Sequence, residues 1–155
     1  MSKWAFCLAI VLAVGLLVVG MGRPPLELLP VNAAEVSELR AIADRQARAW
    51  SASDVDAILA DFAEDARFVV PGQVVQGKAQ IRDFVSQHFA DYSHIEIAIR
   101  RVIGQGKQAA IEWQWQEQHR ATGDRSQADD AIIFQLKNGK IVYWREYIDT
   151  QSPPA

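Results

Sequence analysis

Residues 109–148 read AAIEWQWQEQHRATGDRSQADDAIIFQLKNGKIVYWREYI, and this stretch decides the fold class. It contains three runs rich in alternating apolar and polar residues, separated by Thr122-Gly123-Asp124 and Asn138-Gly139. Alternation with a period of two is typical of a strand with one buried face, and Asn-Gly is a strong hairpin signal. The stretch therefore predicts a meander of antiparallel strands, and residues 95–103 add a fourth strand before it.

The residues before this meander have mainly a helical period. Apolar residues recur at three- and four-residue steps over 33–51 and again over 78–92, and Ser53 or Asp54 is placed to cap a short helix between them. Two short strands are predicted near Pro71-Gly72. Three helices followed by a long antiparallel sheet predict an α+β fold in which the helices cover one face of the sheet.

The N-terminal residues have a different character. No charged residue occurs from Trp4 to Gly22, and Lys3 and Arg23 flank this apolar run. A basic start followed by an apolar run is typical of a secretory signal peptide, but about 18 apolar residues also suffice for a membrane anchor. Both alternatives place the domain outside the cytoplasm. We expect 1–33 to be this leader and a linker, 34–151 the domain, and 152–155 a tail.

Composition excludes several function classes. The formal net charge is -3, which argues against a nucleic-acid partner. The one cysteine, Cys7, lies in the apolar leader, so the domain has no disulfide and no cysteine metal site. The three histidines show no metal-ligand spacing, and no glycine-rich phosphate loop occurs. We therefore predict neither a metal nor a cofactor.

Several spaced segments resemble one superfamily. DFAEDA at 61–66 is followed by Pro71-Gly72 and Gly77, and NGKI at 138–141 is followed by WREYID at 144–149. Residues 36–150 resemble the nuclear transport factor 2-like superfamily, and within it the SnoaL-like (polyketide-cyclase-like) and limonene-epoxide-hydrolase-like groups. The resemblance implies a cone-shaped, bent antiparallel sheet wrapped on three N-terminal helices and enclosing a pocket. It does not imply one activity, because this fold hosts many.

The resemblance also tests two known mechanisms. The positions of the tyrosine and asparagine of the epoxide hydrolases hold Phe68 and Val70, and the positions of their arginine and first acid hold Trp113 and Trp115. Only the second acid is kept, as Glu146. The aspartate base that steroid isomerases place just before a proline is replaced by Val70. We therefore expect neither activity.

The polar residues expected to face the pocket suggest acid/base chemistry. Alternation turns Trp113, Trp115 and Glu117 inward, whereas the pattern of the last strand fits either face and only the resemblance turns Glu146 inward. A histidine beside carboxylates within apolar walls can exchange protons near neutral pH. The candidate catalytic residues are His88, Asp130 and Glu146. The other expected lining residues are Trp50, Phe68, Val70, Tyr92, His94, Trp113, Trp115, Glu117 and Ile148.

Three functions stay open at this point. The favoured hypothesis is a pocket domain that binds a small, largely apolar molecule, because the known catalytic sets are absent. The second is a cofactor-independent isomerase, lyase or cyclase using the same pocket, and the third is a module that forms a homodimer through its sheet. Each key residue also has a structural interpretation: His88 could be a core histidine, Trp113 and Trp115 could fill the cavity, and Glu146 could pair with an arginine.

Overall fold

The computed structural model describes residues 33–151 as three helices and one six-stranded sheet, which confirms the predicted α+β class. The helices are α1 (Ala33–Ser51), α2 (Val55–Ala60) and α3 (Lys78–Asp91). The strands are β1 (Phe62–Val70), β2 (Gln73–Gln76), β3 (Tyr92–Gln105), β4 (Gln108–His119), β5 (Arg125–Lys137) and β6 (Lys140–Asp149).

Local signals account for the helix start and the tightest turn. The side chain of Asp54, not that of Ser53, caps α2 by accepting a hydrogen bond of 2.9 Å from the backbone N–H of Ala57. Asn138 and Gly139 both have positive φ, 53° and 72°, as a two-residue hairpin turn of this handedness requires. The hairpin predicted between the last two strands is therefore confirmed.

The sheet has the strand order β2-β1-β6-β5-β4-β3. Neighbouring strands run antiparallel, except that β1 and β6 run parallel, so the sheet is mixed and the expectation of a purely antiparallel sheet is wrong at this one pair. A hairpin signal fixes the relative direction only of strands that follow each other in sequence. The pairing of β1 with β6 joins strands from opposite ends of the domain, and no local signal specifies it.

Irregularities in the strands bend the sheet and set which side chains face inward. The register of β6 shifts by one residue, since Leu136 pairs with Ile141 but its neighbour Gln135 pairs with Tyr143. Val142 is therefore the extra residue of a bulge, which lets both Ile141 and Trp144 be fully buried. Beyond the bulge, the inward face continues from Trp144 to Glu146.

The core lies between the inner face of the sheet and the helices. Helix α1 packs mainly on β3, and α3 packs on β1 and β2. Large fully buried side chains come from both layers, among them Leu39, Ile58, Phe68, Trp113 and Trp144. Burial of a side chain of this size contributes roughly 1.5–3 kcal/mol, so this cluster supplies much of the driving force for folding.

A charged clamp fixes the end of α2 against α1. The carboxylate of Asp61 accepts bonds from Nε and Nη2 of Arg45, the shorter at 2.7 Å, and a third from Nε2 of Gln46. Asp61 is only 7% exposed, so its charge depends on these donors. The clamp therefore holds the C-terminal end of α2 against α1.

The predicted leader and linker (1–33) and the predicted tail (152–155) lie outside the described part of the chain, except for Ala33, which is the first residue of α1. Between residues 33 and 151, no helix is both long enough and apolar enough to cross a membrane. The assignment of the N-terminal segment as a signal peptide or an anchor stays a prediction.

Candidate active site

A cavity of about 290 Å³ lies between α1, α3 and the inner face of the sheet. Its polar lining includes one histidine, three carboxylates and no lysine or arginine. The lining residues are Trp50, Phe68, Val70, Pro71, Phe84, His88, Trp115, Glu117, Ser126, Gln127, Ala128, Asp130, Glu146, Ile148 and Thr150. The volume is at the lower end of the range for ligand pockets, which indicates a small ligand.

One side of the cavity carries a close contact between α3 and β4. Nε2 of His88 lies 2.9 Å from Oε2 of Glu117. Glu117 also accepts bonds from Nε1 of Trp115 (2.8 Å) and Oγ of Ser126 (3.2 Å). Burial opposes ionisation, but these partners outweigh it and hold the pKa of Glu117 below its usual value.

Asp130 on β5 lies on the cavity wall and is 6% exposed. Its Oδ2 accepts a hydrogen bond of 3.1 Å from Nε1 of Trp113, and its Oδ1 has no hydrogen-bond partner within residues 33–151. Burial raises the pKa of Asp130 to about 6; the Trp113 bond opposes this rise, and the nearby charges of Asp129 and Glu117 add to it. Asp130 is thus a carboxylate that titrates close to neutral pH.

Glu146 on β6 is the cavity acid whose pKa is raised furthest above its usual value. Its side chain is half-buried and borders the cavity. Oε1 accepts a hydrogen bond of 2.7 Å from Nε1 of Trp144. Burial raises the pKa of Glu146 to about 8 against this bond, and the charge of Asp130 adds to the rise. At neutral pH the group is therefore mostly a neutral acid that can donate a proton.

Aromatic rings form much of the remaining wall. Trp50 contacts Trp115 edge to face with a centroid distance of 5.4 Å, and it contacts His88 in the same manner at 5.9 Å. Phe68 and Phe84 lie 5.5 Å apart. Nε1 of Trp50 is buried without a partner among the described residues. The cavity is therefore an apolar chamber with a few polar groups at fixed positions, as ligand sites commonly are.

The structure brings most of the candidate site residues together at this cavity. His88, Asp130 and Glu146 all border it, from α3, β5 and β6. The expected lining residues that also border it are Trp50, Phe68, Val70, Trp115, Glu117 and Ile148.

Three expected lining residues lie elsewhere. Trp113 is 1% exposed and packs against Trp144, so it does not line the cavity but contacts two residues that do, Asp130 through a hydrogen bond and Trp115 through its ring. Tyr92 stacks on the far side of His88 with a centroid distance of 4.8 Å. His94 is exposed and has a positive φ of 55°, beside a register shift in β3 that turns it away from the cavity. The alternation rule fails there because the strand is irregular.

Sequence reasoning missed part of the lining and one recurring contact. Phe84 lies one helical turn before His88, so the spacing already indicates a shared face. Each carboxylate at the cavity accepts a tryptophan N–H. Two of these pairs, Trp115 with Glu117 and Trp144 with Glu146, are two residues apart on one strand, and that spacing was a readable signal. The pair of Trp113 with Asp130 joins two strands directly opposite each other and has no local signal.

Two further features concern the neighbourhood of this cavity. A larger groove of about 620 Å³, lined by residues of β1, β2 and β6 such as Arg67 and Arg145, is more open to solvent and contains no histidine. Across residues 33–151, no three histidine, cysteine or acidic side chains are close enough together to hold a metal ion. The cavity with its histidine and three acids is therefore the better candidate for chemistry.

Solved structures of low sequence identity share this fold. A ketosteroid isomerase-like-fold protein from Catenulispora acidiphila, in complex with trimethylamine, has a TM-score of 0.66 and 19% identity, covering 72% of this chain and 87% of its own. An LEH-like epoxide hydrolase from M. tuberculosis has a TM-score of 0.65 and 19% identity, covering 73% and 84%. A ketosteroid isomerase-like protein from Erwinia carotovora has a TM-score of 0.64 and 19% identity, covering 79% and 100%.

Family assignment rests on a more specific comparison. No curated protein sequence matches the chain. The family model described as the SnoaL-like domain matches residues 43–144, which is more than half of the chain and includes part of α1, helices α2 and α3, strands β1 to β5, and the first half of β6. The chain belongs to the SnoaL-like domain family.

Proposed function

We propose that this protein is a cofactor-independent acid/base enzyme that moves a proton within a small, largely apolar substrate bound in the cavity. The observation that carries the proposal is the pairing of two unlike groups at one cavity. Glu146, with a pKa of about 8, is a neutral acid at pH 7, whereas Glu117 stays ionised beside His88. Groups whose environments push their pKa values apart are suited to opposite roles in proton transfer.

The proposed step needs only these groups. The neutral imidazole of His88, with Nε2–H towards Glu117, accepts through Nδ1 a proton from a carbon next to a substrate carbonyl. The electron pair of the broken C–H bond forms a C=C bond, and the carbonyl oxygen takes the proton of Glu146. In a β,γ-unsaturated ketone this step gives a dienol. His88 then returns its proton to the γ-carbon while the oxygen returns its proton to Glu146, and the C=C bond is left conjugated with the carbonyl, which completes an isomerisation. Proton and electron counts balance without a further reactant.

The wall of the cavity supports a small and mainly apolar substrate. Trp50, Phe68, Phe84 and Trp115 offer aromatic surface, and the volume of about 290 Å³ limits the size. One protein of the same fold is described in a complex with trimethylamine, which is itself a small molecule with mostly apolar surface. That complex supports the size and apolar character of the ligand and does not identify the substrate of this chain.

Exchange of carbon-bound hydrogen in D₂O tests the proposal without a known substrate. Small ketones and enones are incubated with the full chain, and loss of the proton signal next to the carbonyl is followed by NMR. Glu146→Gln and His88→Ala are expected to slow this exchange by about 10²-fold or more, the usual contribution of a positioned acid or base. Glu96→Gln and His94→Ala are matched controls, because both residues are exposed and neither borders the cavity.

A second function is favoured by the same apolar wall. If compounds of the panel raise the melting temperature of the wild-type chain but none undergoes exchange, the enzyme proposal fails and the cavity serves binding alone. Equal exchange rates in the wild type and in Glu146→Gln would also refute the proposed role of this acid.

Location and assembly complete the proposal. The uncharged run from Trp4 to Gly22 supports export or membrane anchoring, with the domain outside the cytoplasm. Recovery of the intact chain from the soluble cytosolic fraction would contradict this.

The outer face of the sheet exposes Ile133 (43%) and Tyr147 (47%), which supports a homodimer through this face. Sedimentation of the full chain as a monomer at high concentration would exclude it.

A further inference from the structure

The proposed proton transfer leaves one oxygen of a buried acid without a role. Asp130 borders the same cavity and its charge adds to the raised pKa of Glu146, but its Oδ1 atom takes no part in the step assigned to His88 and Glu146. Oδ1 has no hydrogen-bond partner among residues 33–151, and the residue is 6% exposed. An unpaired buried carboxylate oxygen costs free energy unless a bound molecule supplies a donor or a positive charge.

The charge of the cavity points to the kind of molecule. Three carboxylates and one histidine line it, and no lysine or arginine does. Glu117 already has His88 at 2.9 Å and accepts hydrogen bonds from Trp115 and Ser126. Asp130 has a single indole N–H as its partner, and its Oδ1 has none within residues 33–151. An anionic ligand would be repelled by this wall, whereas a cation would be attracted to the unpartnered oxygen of Asp130.

The shape of the wall favours an organic cation over a metal ion. Within the described residues, no three histidine or acidic side chains converge tightly enough to ligate a metal. Trp50 and Trp115, in contact edge to face, border the cavity together with Phe68 and Phe84. Aromatic rings attract alkylammonium groups through their electron-rich faces, and the attraction grows where water is excluded.

We infer that the ligand of this cavity carries a cationic nitrogen, held by Oδ1 of Asp130 and bordered by the aromatic rings of Trp50 and Trp115. The inference rests on the proposed function, since it specifies the substrate class of the same cavity. It gives Asp130 a binding role: it orients the substrate by its charge, while the proton moves between His88 and Glu146. The substrate class is then a small carbonyl compound that carries an amine or quaternary ammonium group on an otherwise apolar frame.

A pair of molecules of equal shape tests the charge alone. Choline carries a positively charged quaternary nitrogen where 3,3-dimethylbutan-1-ol carries a neutral quaternary carbon. The two molecules otherwise have nearly the same shape and apolar surface. Isothermal titration of the full chain at pH 7.5 compares their dissociation constants. We expect choline to bind at least about tenfold more tightly, the scale of one interaction with a charged group. In Asp130→Asn the difference is expected to shrink to about threefold or less.

Asp129→Asn is the matched control for this variant. Asp129 precedes Asp130 on β5, so its side chain faces the opposite side of the sheet. The substitution Asp129→Asn removes one negative charge from the chain, as Asp130→Asn does. It should leave the preference for choline within about twofold of the wild type, because it does not border the cavity. Unfolding of Asp130→Asn is checked by circular dichroism, and Asp130→Glu, which keeps the charge, is expected to retain part of the preference.

The outcomes separate this inference from the proposed function. Equal affinities for the two probes, or no binding of choline, overturn the cationic ligand, and hydrogen exchange in D₂O can still succeed. A preference for choline that persists in Asp130→Asn overturns the role of Asp130. Tight binding of choline together with failed exchange on every substrate supports the cationic ligand and refutes the enzyme.

Discussion

Replacement of Glu146 by glutamine should make the protein more stable at high pH, and by an amount that the structure sets. Burial raises the pKa of Glu146 from 4.5 to about 8 in the folded protein. In the unfolded chain the same group ionises freely. Between these two pKa values the folded state binds more protons than the unfolded state, so the stability of the wild type falls as pH rises.

The magnitude follows from the two pKa values. A difference of one pKa unit corresponds to 1.36 kcal/mol, so the change from 4.5 to about 8 amounts to at most about 5 kcal/mol above pH 8. Because the carboxyl group borders a cavity, we expect about 3 kcal/mol of this limit to be observed. Glutamine keeps an oxygen that accepts the hydrogen bond from Nε1 of Trp144, but it cannot ionise. The free energy of unfolding of the variant therefore does not fall with pH at this position.

Urea unfolding of the full chain at pH 5, 6, 7 and 8 measures the effect. The free energy of unfolding of Glu146→Gln minus that of the wild type should be small at pH 5 and rise steadily to pH 8. Glu96→Gln removes an exposed carboxylate from the same sheet and controls for the loss of one negative charge. A difference between Glu146→Gln and the wild type that stays constant over this range would refute the assignment of a raised pKa to Glu146.

Two further predictions concern stability away from the cavity. Gly104→Ala would place a Cβ atom 2.5 Å from Cδ1 of Leu39, so this core side chain must shift; we expect a loss of about 1 kcal/mol in urea unfolding, against less than about 0.5 kcal/mol for the exposed neighbour Gln105→Ala. Asp61→Asn weakens the bidentate contact with Arg45 and is expected to cost about 2 kcal/mol, and a loss of less than about 0.5 kcal/mol would contradict the stabilising role of the clamp.

The candidate site shows where sequence reasoning reached its limit. Alternation along the predicted strand that begins at residue 109 already placed Trp115 and Glu117 on one inward face. The structure shows that Nε1 of Trp115 donates a hydrogen bond to Glu117. The same rule gave no choice for the last strand, because both its faces carry apolar residues. A bulge at Val142 resolves this ambiguity, and its position depends on how β6 pairs with β5. His94 was misplaced for the same reason, since β3 is irregular there.

The sequence by itself determined the helices, the meander, the final hairpin and the fold family, because periodicity, turn residues and spaced motifs are local properties of the chain. Only the tertiary structure decided that β1 pairs in parallel with β6 and that His88, Asp130 and Glu146 border one cavity. It also decided that the pKa values of Asp130 and Glu146 are raised. A pKa depends on how much water and how many charges surround a carboxyl group in space, and residues distant in sequence set both.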